Sequence, residues 1–118
     1  MIAKNIKDAL QGKATLGQKR SSQWPTVRKH HLKLNPTCAV CGDTRKLEVH
    51  HIKPFHIHPE LELDPTNLIT MCESKSYGII CHLLVGHWGS YKLINPNVVE
   101  DAALWRSKLQ EKHKIKGC

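Results

Sequence analysis

Four cysteines constrain the fold of this chain more than any other feature. Cys38 and Cys41 stand in the stretch CAVC, whose two-residue spacing lets a tight turn at Gly42 point both sulfurs at one ion. We expect Cys72 and Cys81 to complete a tetrahedral site that leaves no position for a substrate water. The sequence therefore predicts a structural zinc site that ties together segments far apart in the chain.

The fourth ligand of this zinc site is less well defined by spacing than the other three. Eight residues separate Cys72 from Cys81, where a second tight knuckle would have two. We interpret Cys118 as a spare terminal thiol, with replacement of Cys81 as the alternative. A further alternative is that some of these cysteines are small buried thiols. Because five is an odd number, disulfides explain the cysteines poorly, which favours metal binding in a reducing compartment.

The net charge indicates an acidic partner. The 118 residues include 18 Lys and Arg against 10 Asp and Glu, which gives a formal charge of +8 and a pI near 9.4. This balance favours nucleic acid, although a merely soluble basic surface gives the same count. No apolar run is long enough to span a bilayer, and MIAKNIKDALQGK lacks the apolar core of a signal peptide. We expect a single cytoplasmic domain, residues 1–118, that does not enter a membrane.

Turn residues and apolar spacing divide this domain into four parts. Residues 1–22 are polar and basic and are expected to form a flexible arm, and residues 23–37 a lead-in helix with Pro25 in its first turn. Residues 38–94 are expected to form the zinc-stabilised core, and residues 95–118 a C-terminal helix and tail. The lead-in helix has apolar positions at helical spacing, which are Trp24, Val27, His31 and Leu34.

The core and the C-terminal part each contain regular elements. Residues 46–53 predict a strand that ends at Pro54, and LITMC predicts a second strand. The stretch CHLLVGHWG predicts a short helix that ends near Gly89. The C-terminal helix has a candidate cap at Asn95 or Asn97, with Pro96 in its first turn and an apolar stripe formed by Val98, Ala102, Trp105 and Leu109.

Two adjacent histidines in LEVHHIKPFH indicate two different roles. Successive side chains of a strand point to opposite faces, so His50 and His51 cannot both belong to one buried face. His82 follows directly after Cys81, so the zinc site would fix its direction. His50 and His82 are therefore candidate ligands of a second, divalent ion that stabilises a phosphate oxyanion and a leaving alkoxide. His51 is a candidate general base, because its ordinary pKa of about 6.5 suits that role.

The order of these residues resembles the HNH endonuclease family. The resemblance rests on LEVHHIKP, LELDPTNLITMC and CHLLVGH, in which His51, Asn67 and His82 stand as the three letters of the motif. It extends over residues 24–105 and is strongest toward members associated with phages. It implies an α+β fold, with a ββα-metal core and a structural zinc knuckle between N-terminal and C-terminal helices. By position, it makes His50 and His82 metal ligands, His51 the general base, and Asn67 an amide that orients the metal-bearing loop.

The same resemblance implies a function. It implies hydrolysis of DNA phosphodiester bonds to give 5′-phosphate and 3′-hydroxyl ends, with Mn²⁺ or Mg²⁺ as the catalytic ion and Ni²⁺ or Zn²⁺ as alternatives. We expect low sequence specificity, because the Lys and Arg residues of GQKRSSQWPTVRKHHLK, together with Lys53 and Lys92, would contact phosphates that flank the cut. One active site per chain cuts one strand, so a monomer or weak dimer is expected to nick duplex DNA. Terminase or other phage packaging proteins are the partners suggested by analogy.

The pattern departs from the family at one metal ligand. Members with a further histidine ligand carry it four residues after the last motif histidine, where this chain has Gly86. His87 lies about 140° around an α-helix from His82, so it is a ligand only if that helix is irregular, and otherwise a capping or packing residue. His56 and His58 are close enough in sequence to line the cleft, but solvated loop histidines are the commoner case. His30 and His31 are assigned to the lead-in helix and its packing, apart from the site.

A function without catalysis is the alternative to an endonuclease. The basic charge and the four cysteines would suffice for a zinc-stabilised nucleic-acid-binding module, or for an accessory of phage DNA packaging. Neither of these explains why His50, His51, Asn67 and His82 occur together. A second, labile metal site is expected only for the endonuclease.

Overall fold

The computed structural model describes residues 20–113, so residues 1–19 of the predicted arm and Cys118 lie outside the described residues. In chain order, the elements are helix α1 (Trp24–Leu34), strand β1 (Leu47–His51), two 3₁₀ turns (Pro59–Leu61 and Pro65–Asn67), strand β2 (Leu68–Cys72), a π-helix (His82–Gly86) and helix α2 (Val98–His113). The two strands and the helices confirm the predicted α+β class. In the described range, no helix is long and apolar enough to cross a membrane.

Helix α1 lies at the start of the described chain and packs with one side on the sheet. A proline occupies its first turn, and its last turn closes with Asn35 N donating to the His31 carbonyl at 2.8 Å. Helix α1 stops there because Pro36 disfavours a helical backbone at Asn35. His31 is buried, whereas Leu34 is 65% exposed and therefore does not extend the predicted apolar stripe.

The two strands form an antiparallel hairpin that positions the adjacent histidines. In its register, His50 lies opposite Ile69 and His51 lies opposite Leu68. A long loop connects the strands. Its two ends are joined by a hydrogen bond in which Ile52 N donates to the Asn67 carbonyl at 2.8 Å. The end of β1 and the start of β2 are thus held together at the two histidines.

Helix α2 covers the core from the C-terminal side. The Asn97 carbonyl accepts from Asp101 N at 2.9 Å, and the Asn95 side chain accepts from Asn97 N at 2.9 Å, so the chain turns into the helix at Asn97. Helix α2 begins at Val98, so Pro96 precedes the helix and does not lie in its first turn. The predicted stripe faces the core, with Val98, Ala102 and Leu109 buried and Trp105 packed at its edge.

Candidate metal centres and active-site cleft

The four predicted zinc ligands converge on one buried cluster. Cys38, Cys41, Cys72 and Cys81 are all buried, and their sulfur atoms lie within 4.8 Å of one another. The sulfurs of Cys41 and Cys72 lie 3.4 Å apart. A tetrahedral zinc with sulfur ligands at about 2.3 Å has sulfur-to-sulfur edges of about 3.8 Å. The donor set and its spacing therefore fit a structural zinc ion.

The backbone around this cluster is shaped for thiolate ligands. Gly42 has a φ of 81°, which glycine adopts without steric cost, and its N–H donates to the Cys38 carbonyl at 2.9 Å. The Val40 and Cys72 N–H groups both point at Cys38 Sγ, at 3.4 Å each. The neighbouring Cys38 thiol, followed by Cys41, lowers the pKa of Cys72, whereas Cys38 and then Cys72 raise the pKa of Cys41, because the clustered thiols share their protons when no ion is bound.

The long spacing before Cys81 is accommodated by a folded loop. Within it, Gly78 N donates to the Lys75 carbonyl at 3.0 Å, and both residues have positive φ. Ser74 Oγ donates to Asp43 at 2.6 Å and lies 3.3 Å from Cys72 Sγ. These contacts turn the chain back, so that Cys81 reaches the cluster from the start of the π-helix.

Three histidines form a second cluster, separate from the cysteines. His50 comes from β1, while His82 and His87 come from the two ends of the π-helix, and one nitrogen of each lies within 4.8 Å of the others. His50 Nδ1 is 3.2 Å from His82 Nε2. Burial, followed by the neighbouring His82, lowers the pKa of His50 to about 3, so this imidazole is neutral at pH 7. Three imidazoles that converge in this way could hold a divalent ion.

The π-helix explains why His87 joins this cluster. In an α-helix, residues five apart point in directions that differ by about 140°. A π-helix closes its hydrogen bonds from i to i+5, so residues five apart lie on the same face. His82 and His87 consequently have ring centroids only 4.9 Å apart.

Outer contacts fix the orientation of two of these rings. His82 Nδ1 lies 2.9 Å from Glu73 Oε2, and His87 Nδ1 lies 2.9 Å from the Leu93 carbonyl. Both partners only accept hydrogen bonds, so each Nδ1 carries the proton and each Nε2 presents a lone pair. Glu73 in turn accepts from Tyr91 Oη at 2.5 Å, and that bond holds the pKa of Glu73 below its usual range. Such outer partners raise the basicity of histidine ligands and fix their direction.

His51 lies beside the histidine cluster but points to different partners. Its Nε2 donates to the Glu62 carbonyl at 3.0 Å, and its ring packs against Trp24 with centroids 4.5 Å apart. The Nε2 proton is therefore engaged, and Nδ1 is the atom left to accept a proton. Burial lowers the pKa of His51, which keeps the ring neutral near pH 7.

Asn67 bridges the two ends of the loop between the strands. Its Oδ1 accepts from Lys53 N at 2.8 Å, and its Nδ2 donates to the Lys53 carbonyl at 3.0 Å and the Leu61 carbonyl at 3.3 Å. Because the side chain is buried, these hydrogen bonds are shielded from water. Asn67 therefore fixes the backbone that follows His51 without reaching the histidine cluster in these contacts.

A cleft with a volume of about 260 Å³ connects the histidine cluster to His51. Its walls include Arg20, which precedes α1, and Phe55 and His56, which follow β1. Tyr91 and Lys92, which follow the π-helix, also line it. The His58 ring, in contrast, lies beside Glu60, with Nδ1 3.3 Å from Glu60 Oε2.

One of the comparisons with known proteins gave a match. Residues 38–75 match the family model of the HNH endonuclease. These 38 of the 118 residues therefore carry an HNH domain, which confirms the resemblance seen in the sequence. The match contains both strands and ends before His82, whose place in the site is shown by the structure alone. Neither the comparison with curated proteins nor that with solved structures gave a match.

Sequence reasoning missed several residues that support the site. Glu73 directly follows a predicted zinc ligand, and an acidic residue at that position was a usable signal. Tyr91 and Phe55 gave no signal, because their contacts depend on how two loops fold. The role of Glu62 was hidden because its main-chain carbonyl, not its side chain, contacts His51.

Proposed function

We propose that this protein is a metal-dependent DNA endonuclease in which His51 is the general base. The observation that carries the proposal is the convergence of His50, His82 and His87 in the same cleft as His51. A structural zinc site alone would need none of these four side chains. The HNH domain supports a nuclease-type function in general, and the cleft supports the assignment of these residues.

The proposed ligands of the catalytic ion are His50, His82 and His87. A divalent ion held there would supply positive charge beside the phosphate and the leaving oxygen. Mn²⁺ or Mg²⁺ is the proposed ion, with Ni²⁺ or Zn²⁺ as alternatives, because imidazole ligands suit several of these metals. Zinc is the proposed occupant of the cysteine cluster, where it has a structural role.

The chain's own groups can move the proton that hydrolysis requires. His51 Nδ1 takes a proton from the attacking water, and the water oxygen forms a bond to phosphorus. The bond between phosphorus and O3′ breaks, and O3′ leaves with a proton from solvent. The products are a 5′-phosphate and a 3′-hydroxyl. The Glu62 carbonyl and the Trp24 ring hold His51 in position while the proton moves.

The proposed mode of cleavage rests on the single histidine-lined cleft found among residues 20–113. A monomer or weak dimer would nick one strand of duplex DNA, and the charge of +8 would bind phosphates with low sequence specificity. Cleavage of both strands would need two binding events or a partner. Phage terminase or another packaging protein is our proposal for that partner, by analogy with the family.

Nicking of supercoiled plasmid tests the proposal directly. Purified protein is incubated with plasmid and Mn²⁺ or Mg²⁺, beside His51→Ala and, as a matched control, His58→Ala. We expect nicked circles that require the added ion, a loss of at least about 100-fold for His51→Ala, and little change for His58→Ala. Zinc content and circular dichroism check that each variant is folded.

Two outcomes would contradict the proposal. Well-folded wild type that never nicks in any of the ions would leave a nucleic-acid-binding module. Metal-dependent nicking that His51→Ala retains would show that the base is a different group.

A further inference from the structure

Arg20 is the charged residue of the cleft whose role the proposed function leaves unexplained. It lies in the cleft wall with His50, His51 and His82, although it precedes helix α1 and is far from them in sequence. Its guanidinium carbon lies 4.5 Å from the centre of the Phe55 ring and 5.8 Å from that of Trp24. Phe55 is buried, so the guanidinium stacks on a fixed surface.

The Glu62 carboxylate forms an ion pair with Arg20 but accepts no direct hydrogen bond from its guanidinium. Glu62 Oε2 lies 3.9 Å from Arg20 Nη1, which is beyond hydrogen-bond range. Both Glu62 oxygens instead accept from Ser21 N, at 3.0 and 3.3 Å. The Glu62 side chain therefore anchors the backbone next to Arg20, while the five N–H donors of an arginine can bind another anion.

Arg20 and the general base share their surroundings. The Trp24 ring packs on His51 and also lies under Arg20, and the Glu62 residue contacts both, through its carbonyl and its carboxylate. A phosphate placed for attack by a water on His51 would lie in the same cleft as the guanidinium. The cleft volume of about 260 Å³ is too small for a duplex but admits one phosphodiester group.

We propose that Arg20 binds a non-bridging oxygen of the scissile phosphate. This proposal rests on the proposed nuclease function and adds a substrate contact to it. A planar guanidinium offers paired donors to two phosphate oxygens, and its contact with the Phe55 ring holds it at the cleft wall. Because negative charge on these oxygens grows during the reaction, the contact lowers the barrier as well as the Michaelis constant.

The test compares Arg20→Met and Arg20→Lys with Lys29→Met. Methionine keeps apolar packing on Phe55 without the charge, lysine keeps the charge without the planar fork, and Lys29 is an exposed residue of α1 that controls for loss of one positive charge. Two substrates are used at saturating Mn²⁺, plasmid DNA and bis(4-nitrophenyl) phosphate. The small diester has no flanking phosphates, so it reports only contacts with the reacting group.

We expect Arg20→Met to lose about 10- to 100-fold in kcat/KM with both substrates, and Arg20→Lys to lose less. Lys29→Met should change hydrolysis of the small diester less than about twofold, because an exposed charge away from the cleft is screened. A second readout is binding of a labelled duplex without added divalent ion. There, Arg20→Met should reduce the slope of log affinity against log salt by about 0.9, the value for one phosphate contact.

Three results would overturn the assignment. Wild-type turnover by Arg20→Met would show that Arg20 only packs on Phe55. A loss confined to DNA would place the contact at a flanking phosphate. If wild type hydrolyses neither substrate, the nuclease proposal fails, and an unchanged salt slope in Arg20→Met would then separately exclude a phosphate contact.

Discussion

Removal of the Glu73 carboxylate should weaken metal binding at the three histidines without affecting zinc. Glu73 accepts from His82 Nδ1 at 2.9 Å, so its charge makes His82 Nε2 a better ligand. Loss of such an outer partner costs about 10- to 100-fold in metal affinity. Because the Glu73 side chain is 38% exposed and solvent screens its charge, we expect the lower end, about 10-fold or 1.4 kcal/mol, for Glu73→Gln. Glu73→Ala should lose more, since it also removes the hydrogen bond.

Titration with Mn²⁺, followed by the paramagnetic resonance signal of the free ion, measures this affinity. Mn²⁺ prefers nitrogen and oxygen ligands, so the cysteine cluster does not compete. Glu48→Gln is the matched control, because Glu48 is 46% exposed and its carboxylate pairs with Arg28 at 3.1 Å. Equal Mn²⁺ affinity in Glu73→Gln and wild type, at equal zinc content, would refute the role of Glu73 as an outer partner of the metal.

Three further expectations follow from the same geometry. His87→Ala should weaken Mn²⁺ binding at least about 10-fold in the same titration, because it removes one of three imidazoles, whereas equal affinity would return His87 to a packing role. Cys81→Ser should lower zinc content and reduce the melting temperature by about 10 °C or more, while Cys118→Ser should change neither; the reverse result would make Cys118 the fourth ligand. For pH, protonated His51 cannot act as a base, so kcat/KM at saturating Mn²⁺ should fall as pH drops through its pKa. Since burial lowers that pKa, the midpoint should lie below about 6.5, and a midpoint above this value would contradict the assignment.

The strands and the helix ends were predictable because their signals are local. The run LITMC matched β2, the Asn-Pro pair marked the end of α1, and the apolar stripe identified the buried face of α2, whereas β1 ends at His51, two residues before the predicted end at residue 53. The opposite directions of His50 and His51 followed from the period of a strand, and the structure gives the two rings different partners. Such features depend on a few neighbouring residues, so one sequence is enough to infer them.

Contacts between loops were not predictable in the same way. The distance from Arg20 to Phe55 depends on the path of two segments that are separated by more than thirty residues. The Glu62 carbonyl carries no residue-specific signal at all, since every residue has one. The return of Cys81 to the cysteine cluster likewise depends on a turn at Lys75 and Gly78, inside a loop whose spacing looked unfavourable.

The π-helix is the point at which a regular period gave the wrong geometry for His87. The glycine at position 86 and the histidine at position 87 are both explained by the geometry of the π-helix. A Cβ atom on Gly86 would lie 3.2 Å from His82 Cδ2 and 3.3 Å from two ring atoms of His50, so a side chain four residues after His82 would press on both rings. The wider turn places the next residue on the same face at a workable distance, with ring centroids 4.8 Å apart for His50 and His87. The absence of a histidine at position 86 is therefore no evidence against a three-histidine site, because the π-helical backbone places the imidazole of His87 beside His50 and His82.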